Sequence, residues 1–215
     1  MGLCAIKNLS KFVGIIYATV IKHYYMESAG TNYLSSVKQL FRYYKQLGDK
    51  AIGQVTEEQM HWQYNQQSNS IAIIIKHIAG NSLSRWTNFL TTDGEKEWRN
   101  RDDEFEDTTS TKEGLIALWN RGWQCIDDAI DPLTENDLLR IVYIRNEGHT
   151  VTEAINRQLA HIPYHVGQIV FIAKMLAAEN WESLSISKGQ SKSFNAGKFS
   201  NEKQKKFFTE GTDEK

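Results

Sequence analysis

The 215-residue chain has two cysteines, two prolines and no apolar run long enough to cross a bilayer. Each scarcity excludes something. Cys4 and Cys125 cannot make a disulfide framework, so a reducing, cytoplasmic setting is expected. Cys125 lies on the apolar side of the helical pattern "LWNRGWQCIDDAI", where a small, buried, inert thiol fits. Charge of one sign is also missing: 25 basic and 26 acidic residues leave a net −1. A nucleic-acid partner would need a basic patch. The Lys-bearing stretch from Lys198 to Lys206 is diluted by Glu202 and reads as a solvated tail. No glycine-rich phosphate loop and no repeat of solenoid period occur.

The N-terminus stands apart. "KFVGIIYATVI", with Lys7 and Lys11, resembles a weak signal-peptide core, but no small-x-small cleavage site follows. Residues 1–30 are read as an extension outside the fold, or the product of a start codon placed too early. Residues 1–25 are accordingly expected to pack poorly or to be absent from the natural product. No membrane partner is expected.

What is present is helical periodicity. Leu34, Val37, Leu40, Phe41, Tyr44 and Leu47 recur at steps of three and four, which predicts a helix over residues 33–52. A second is expected over residues 70–90. It opens on β-branched residues, but its length decides against a strand, and Asn69 or Ser70 can cap it. A long charged loop, residues 91–109, leads to a third helix capped by Ser110 or Thr111 and stopped at Asp131-Pro132. "DLLRIVYIRNEGHTV" predicts a hairpin over residues 139–151, turning at Asn146, Glu147 and Gly148. The last helix begins near Thr152 or Glu153. The polar residues 188–215 are expected to be irregular. The fold class is all-α: a helical bundle over residues 31–187, with a short β-hairpin before the last helix.

Six histidines occur, and three fall on helices of this bundle. His23, His61 and His149 lie in the extension, a connector and the hairpin, and are read as incidental. "QLAHIPYHVGQIV" places His161 and His165 four residues apart, hence on one helix face, with Pro163 between them. That face continues as Gln158 and Gln168. His77 holds a matching place among Ile74, Ile78, Asn81 and Arg85. Three imidazoles from two helices can bind a divalent ion and leave one position open, a pattern of catalytic zinc. Spacing alone leaves open the alternative of ordinary hydrogen-bonded histidines. The absence of Glu after His161 removes the general base of an HExxH protease. Pro163 deletes the amide that would bond Leu159, so a local kink could open room beside the ligands.

"KHIAGN" and "HIPYHVGQI" resemble the DinB-like metal-binding superfamily of four-helix bundles. "GNSLSRWTNFLTTDGEKEWRNRDDEF" and "LSISKGQSKSFN" resemble its YizA-like branch more closely. The resemblance covers about residues 32–200. It implies a divalent metal (zinc, nickel, iron or manganese, with zinc favoured) held by His77, His161 and His165. Other branches include low-molecular-weight-thiol transferases and a thiol-dependent isomerase. The chain would then be a metal-dependent thiol transferase, its partners a small-molecule thiol and an electrophile. Asn81 and Arg85 could orient substrate, the alternative being helix capping or surface solvation. Trp98, Arg99, Arg101 and Asp102 could shape the entrance, or merely pack the loop. The competing function is a non-catalytic metal-binding or dimeric interaction protein, with Phe41, Tyr43 and Tyr44 supplying a homodimer face.

Overall fold

The computed structural model describes residues 28–107 and 110–208, so the expectation for residues 1–25 lies outside the described residues. Four long helices form the bundle: α1 (Ala29–Gly53), α3 (Ile71–Trp86), α4 (Lys112–Ile130) and α5 (Val151–Ala177), with a single-turn α2 (Glu57–Met60) after α1. The helix α3 packs on α4 and α5, while α1 packs mainly on α5. Among the described residues, no helix is long and apolar enough to cross a membrane.

Caps fix where each helix starts. Ser70 accepts from the Ile73 amide, Thr111 from Gly114, and Thr150 and Glu153 form a reciprocal capping box at α5. Isoleucine is a mediocre helix former, yet the run from Ile71 to Ile75 is helical because α3 is buried on every side. Burial of these side chains outweighs their propensity. On the other flank Trp119 and Trp123 pack edge-on at 5.3 Å, and Phe41 meets Trp123 at 6.4 Å. A methyl added to Gly122 would lie 2.8 Å from the Ala79 Cα, so that glycine sets how closely α3 and α4 approach.

Three expectations need correction. The second helix ends at Trp86 rather than Leu90, because Asn88 turns the chain with φ 51° and buries Phe89 against Trp86. The hairpin pairs β1 (Ile141–Ile144) with β2 (Glu147–Thr150). Its turn is Arg145-Asn146, both with positive φ, rather than the Asn-Glu-Gly stretch. The Asp93 carboxylate accepts from both turn amides at 2.8 Å, offsetting the strain at Arg145. The tail holds α6 (Ser191–Phe199), an exposed helix in which Lys198 lies over the Phe194 ring at 5.4 Å. The aromatic residues of α1 also divide: Phe41 is in the core, and Tyr43 is covered by Phe208 at 5.0 Å.

Candidate metal centre

The helices α3 and α5 bring the three histidines together. Nε2 of His161 lies 3.1 Å from Nε2 of His77 and 3.1 Å from Nε2 of His165. One ring nitrogen from each lies within 4.8 Å of the others. In a tetrahedral zinc site with bonds of about 2.0–2.1 Å, donor nitrogens stand about 3.3 Å apart. The three rings therefore could hold a metal ion with little movement.

The outer nitrogens decide which way the lone pairs face. His77 Nδ1 lies 3.0 Å from Glu104 Oε2, and His165 Nδ1 lies 2.8 Å from Gln168 Oε1. Burial alone would raise the Glu104 carboxyl, but hydrogen bonds from His77 and Arg99 hold it below the ordinary range. An ionised carboxylate only accepts, so His77 carries its proton on Nδ1 and turns a bare Nε2 inward. The Gln168 oxygen does the same for His165. At most one proton, on His161, is then left among three converging nitrogens. Internal hydrogen bonding can satisfy one pair of them; a cation satisfies all three.

The cluster's electrostatics agree. Burial, followed by His165, His77, Arg85 and Arg99, pushes His161 down to about 3, and burial also lowers His165. Both rings are neutral near pH 7, the form that ligates.

Glu104 is itself tightly held. It sits on a 3-10 turn, Asp102–Phe105, whose Phe105 ring lies 4.9 Å from that of His77. Arg99 grips both carboxylate oxygens, Nε to Oε1 at 2.8 Å and Nη2 to Oε2 at 2.9 Å. Arg99 also pairs with Glu95 at 3.3 Å, and Arg145 of the hairpin turn pairs with the same Glu95 at 3.1 Å. A chain of ion pairs thus runs from the hairpin to His77. Gly80 leaves the space Glu104 needs, since a Cβ there would stand 2.2 Å from Oε1.

The family described as "protein of unknown function (DUF1572)" matches residues 28–190, more than half of the chain. The chain belongs to the DUF1572 family. DUF1572 is DinB-like, and the three histidines lie within the matched span. A comparison with curated proteins finds no match.

In this DUF1572 chain the remaining site residues sort as follows. Asn81 and Arg85 are only 7% and 8% exposed, which excludes surface solvation for both. Asn81 Oδ1 accepts from Gln158 Nε2 at 3.2 Å. Arg99 lies beneath Glu104, with its side chain 3% exposed, and supports the carboxylate from behind. Arg101 covers the Phe105 ring at 5.0 Å, Asp102 opens the 3-10 turn, and Trp98 is exposed. His61, read as incidental, clamps Asp107 at 2.8 Å and the Ser110 carbonyl at 3.0 Å. Cys125 is half-buried, with Sγ 3.5 Å from Thr87 Oγ1, and burial pushes its thiol up. It lines a cleft of about 700 Å³ that none of the three histidines borders.

The sequence pattern did not single out Glu104. It is one of five acidic residues between Asp102 and Asp107, and nothing local distinguishes the one that turns inward.

Proposed function

We propose that the chain is a metal-dependent transferase that joins a small thiol to an electrophilic substrate, with His77, His161 and His165 as ligands. The observation that carries this reading is the ligand count. Among the described residues no fourth His, Cys, Asp or Glu joins the three converging nitrogens, so a bound ion would keep a position open. Zinc is the favoured ion, with nickel, iron and manganese as alternatives. Such an ion would supply Lewis acidity, lowering the pKa of a thiol or water near neutral pH.

The chain's own residues do the rest. Glu104 and Gln168 hold two imidazoles in the ligating tautomer, and Asn81 and Arg85 orient the substrate. Cys125 lies off the site and has a raised pKa, so the thiol comes from a cosubstrate. A reducing cytoplasm would keep that cosubstrate in thiol form. Transfer forms one carbon–sulfur bond; the leaving group departs with its bonding electrons, and the thiol proton passes to water. The narrower YizA-like affiliation rests on the two quoted stretches and belongs to this proposal.

A second reading is a metal-binding protein that works by pairing with a second copy. Tyr164, Phe171 and Met175 are exposed at 64%, 70% and 47% along α5, and they favour such a face over the buried Phe41. Purified protein is analysed for metal per chain, then assayed with small thiols and an electrophile beside a His161→Ala control. About one ion per chain, and turnover lost in the control, support the transferase. Metal without turnover, in a protein that is dimeric by light scattering, supports the second reading.

A further inference from the structure

Among the described residues, Arg85 is a buried cation without a partner of its own. It is 8% exposed, and its Nε has no hydrogen-bond partner there. Taking a guanidinium out of water is costly unless an anion or several acceptors receive it. Its surroundings make the cost larger. Burial, then Arg157 and Arg99, pull its pKa down to about 10, and Arg145 adds to the effect. Glu95, whose field favours the charge, is already held by Arg99 and Arg145 at 3.3 and 3.1 Å.

The position matters as much as the charge. Arg85 lies two turns beyond His77 on α3, and helical side chains lean toward the N-terminus, which here is the histidine end. Between the two levels sits Gln158, 1% exposed, whose Oε1 also lacks a partner among the described residues while its Nε2 holds Asn81. An orphan donor and an orphan acceptor therefore lie on the two helices that carry the histidines, at the levels just beyond the cluster.

We infer that Arg85 is the anion-binding residue of this site, and that it takes a carboxylate carried by the small molecule that reaches the histidines. A planar carboxylate matches the guanidinium fork. The Gln158 oxygen can accept from an N–H or O–H close to that carboxylate. The ligand class is thus a carboxylate with a neighbouring hydrogen-bond donor, such as an N-acylated amino-acid thiol. This deepens the transferase reading and rests on it for the thiol, while the anion site itself stands without a metal.

The test has two arms, each comparing wild type with Arg85→Met and Arg85→Lys. In the first, zinc-loaded protein is titrated calorimetrically with N-acetylcysteine and with its neutral amide. The carboxylate form should bind wild type about tenfold or more tightly than the amide, as one charge-assisted hydrogen bond implies. In Arg85→Met that advantage should vanish. In the second arm, metal-free protein is melted in sodium malonate and in sodium chloride at matched ionic strength. Malonate should raise the Tm of wild type and not that of Arg85→Met. In chloride, Arg85→Met should melt higher than wild type, because an uncompensated buried charge has gone. Should the methionine variant not fold, Arg85→Lys serves, with its charge kept, its fork lost and its carboxylate preference reduced. Equal binding of the two thiols by wild type, or a preference that survives in Arg85→Met, overturns the inference. If neither thiol binds but malonate still stabilises wild type alone, the transferase reading fails and the anion site stands.

Discussion

Replacing Glu104 should damage metal binding in a way that depends on which atom is changed. Its carboxylate receives three N–H groups: His77 Nδ1 and Arg99 Nη2 at Oε2, and Arg99 Nε at Oε1. Glu104→Gln keeps the shape but turns one acceptor into a donor. If the amide nitrogen takes the Oε1 place, it faces the Arg99 Nε–H. If it takes the Oε2 place, it faces the His77 Nδ1–H and drives that proton to Nε2, where it blocks the inward lone pair. Outer partners of metal-ligating histidines are typically worth about 10–100-fold in affinity. The glutamine should fall within that range for zinc.

Glu104→Ala goes further, because Arg99 keeps only its longer contact to Glu95 at 3.3 Å. Breaking a buried pair costs about 3–5 kcal/mol, and the surviving contact places this one near the lower end, about 3 kcal/mol. For a chain of this size that is a fall of about 6–12 °C in Tm. Zinc affinity would be read by competition with a chromophoric chelator, and stability by melting the metal-free protein. An alanine variant that binds zinc within about twofold of wild type would refute the idea that Glu104 sets the His77 tautomer (the scale being the 10–100-fold above).

Gly80→Ala should mimic the glutamate variants, since its Cβ would stand 2.2 Å from Glu104 Oε1; chelator competition should show about tenfold weaker zinc binding despite alanine's better helix propensity. His161→Ala removes the ring that both others meet at 3.1 Å, so elemental analysis should find metal occupancy sharply reduced while circular dichroism stays helical. At His61 burial opposes the charge, but Asp107 and the Ser110 carbonyl outweigh it and raise the pKa. A raised histidine contributes stability that is complete below its unfolded value of about 6.5 and is lost as pH rises through the folded value. Proteolysis near residues 102–107 should therefore quicken as pH rises above about 6.5, and an Asp107→Asn variant should show less of that pH dependence.

Local chemistry explains what could be read from the sequence. Steps of three and four marked the first helix, and the cap pairs Asn69 or Ser70 and Ser110 or Thr111 bracketed two starts, because periodicity and caps act within a few residues. The i,i+4 spacing of His161 and His165 was likewise a property of one helix, and Gln168 could be seen on the same face. Spacing allowed His77 to meet them but left ordinary hydrogen-bonded histidines open, and the family resemblance favoured the triad, since no periodicity says which faces of two helices will touch. The parts that escaped depend on distant partners. The hairpin turns at Arg145-Asn146 because Asp93, more than fifty residues earlier, accepts both amides. Glu104 becomes the partner of His77 only because Gly80 clears space on α3 and Arg99 pulls the carboxylate inward. Both cases follow one physical rule. A buried polar group is placed by whatever satisfies it, and that partner can lie anywhere in the chain. By the same rule the unsatisfied Nε of Arg85 carries as much information as the satisfied oxygens of Glu104. One shows where the protein supplies its own partner, and the other marks where the proposed carboxylate would supply it.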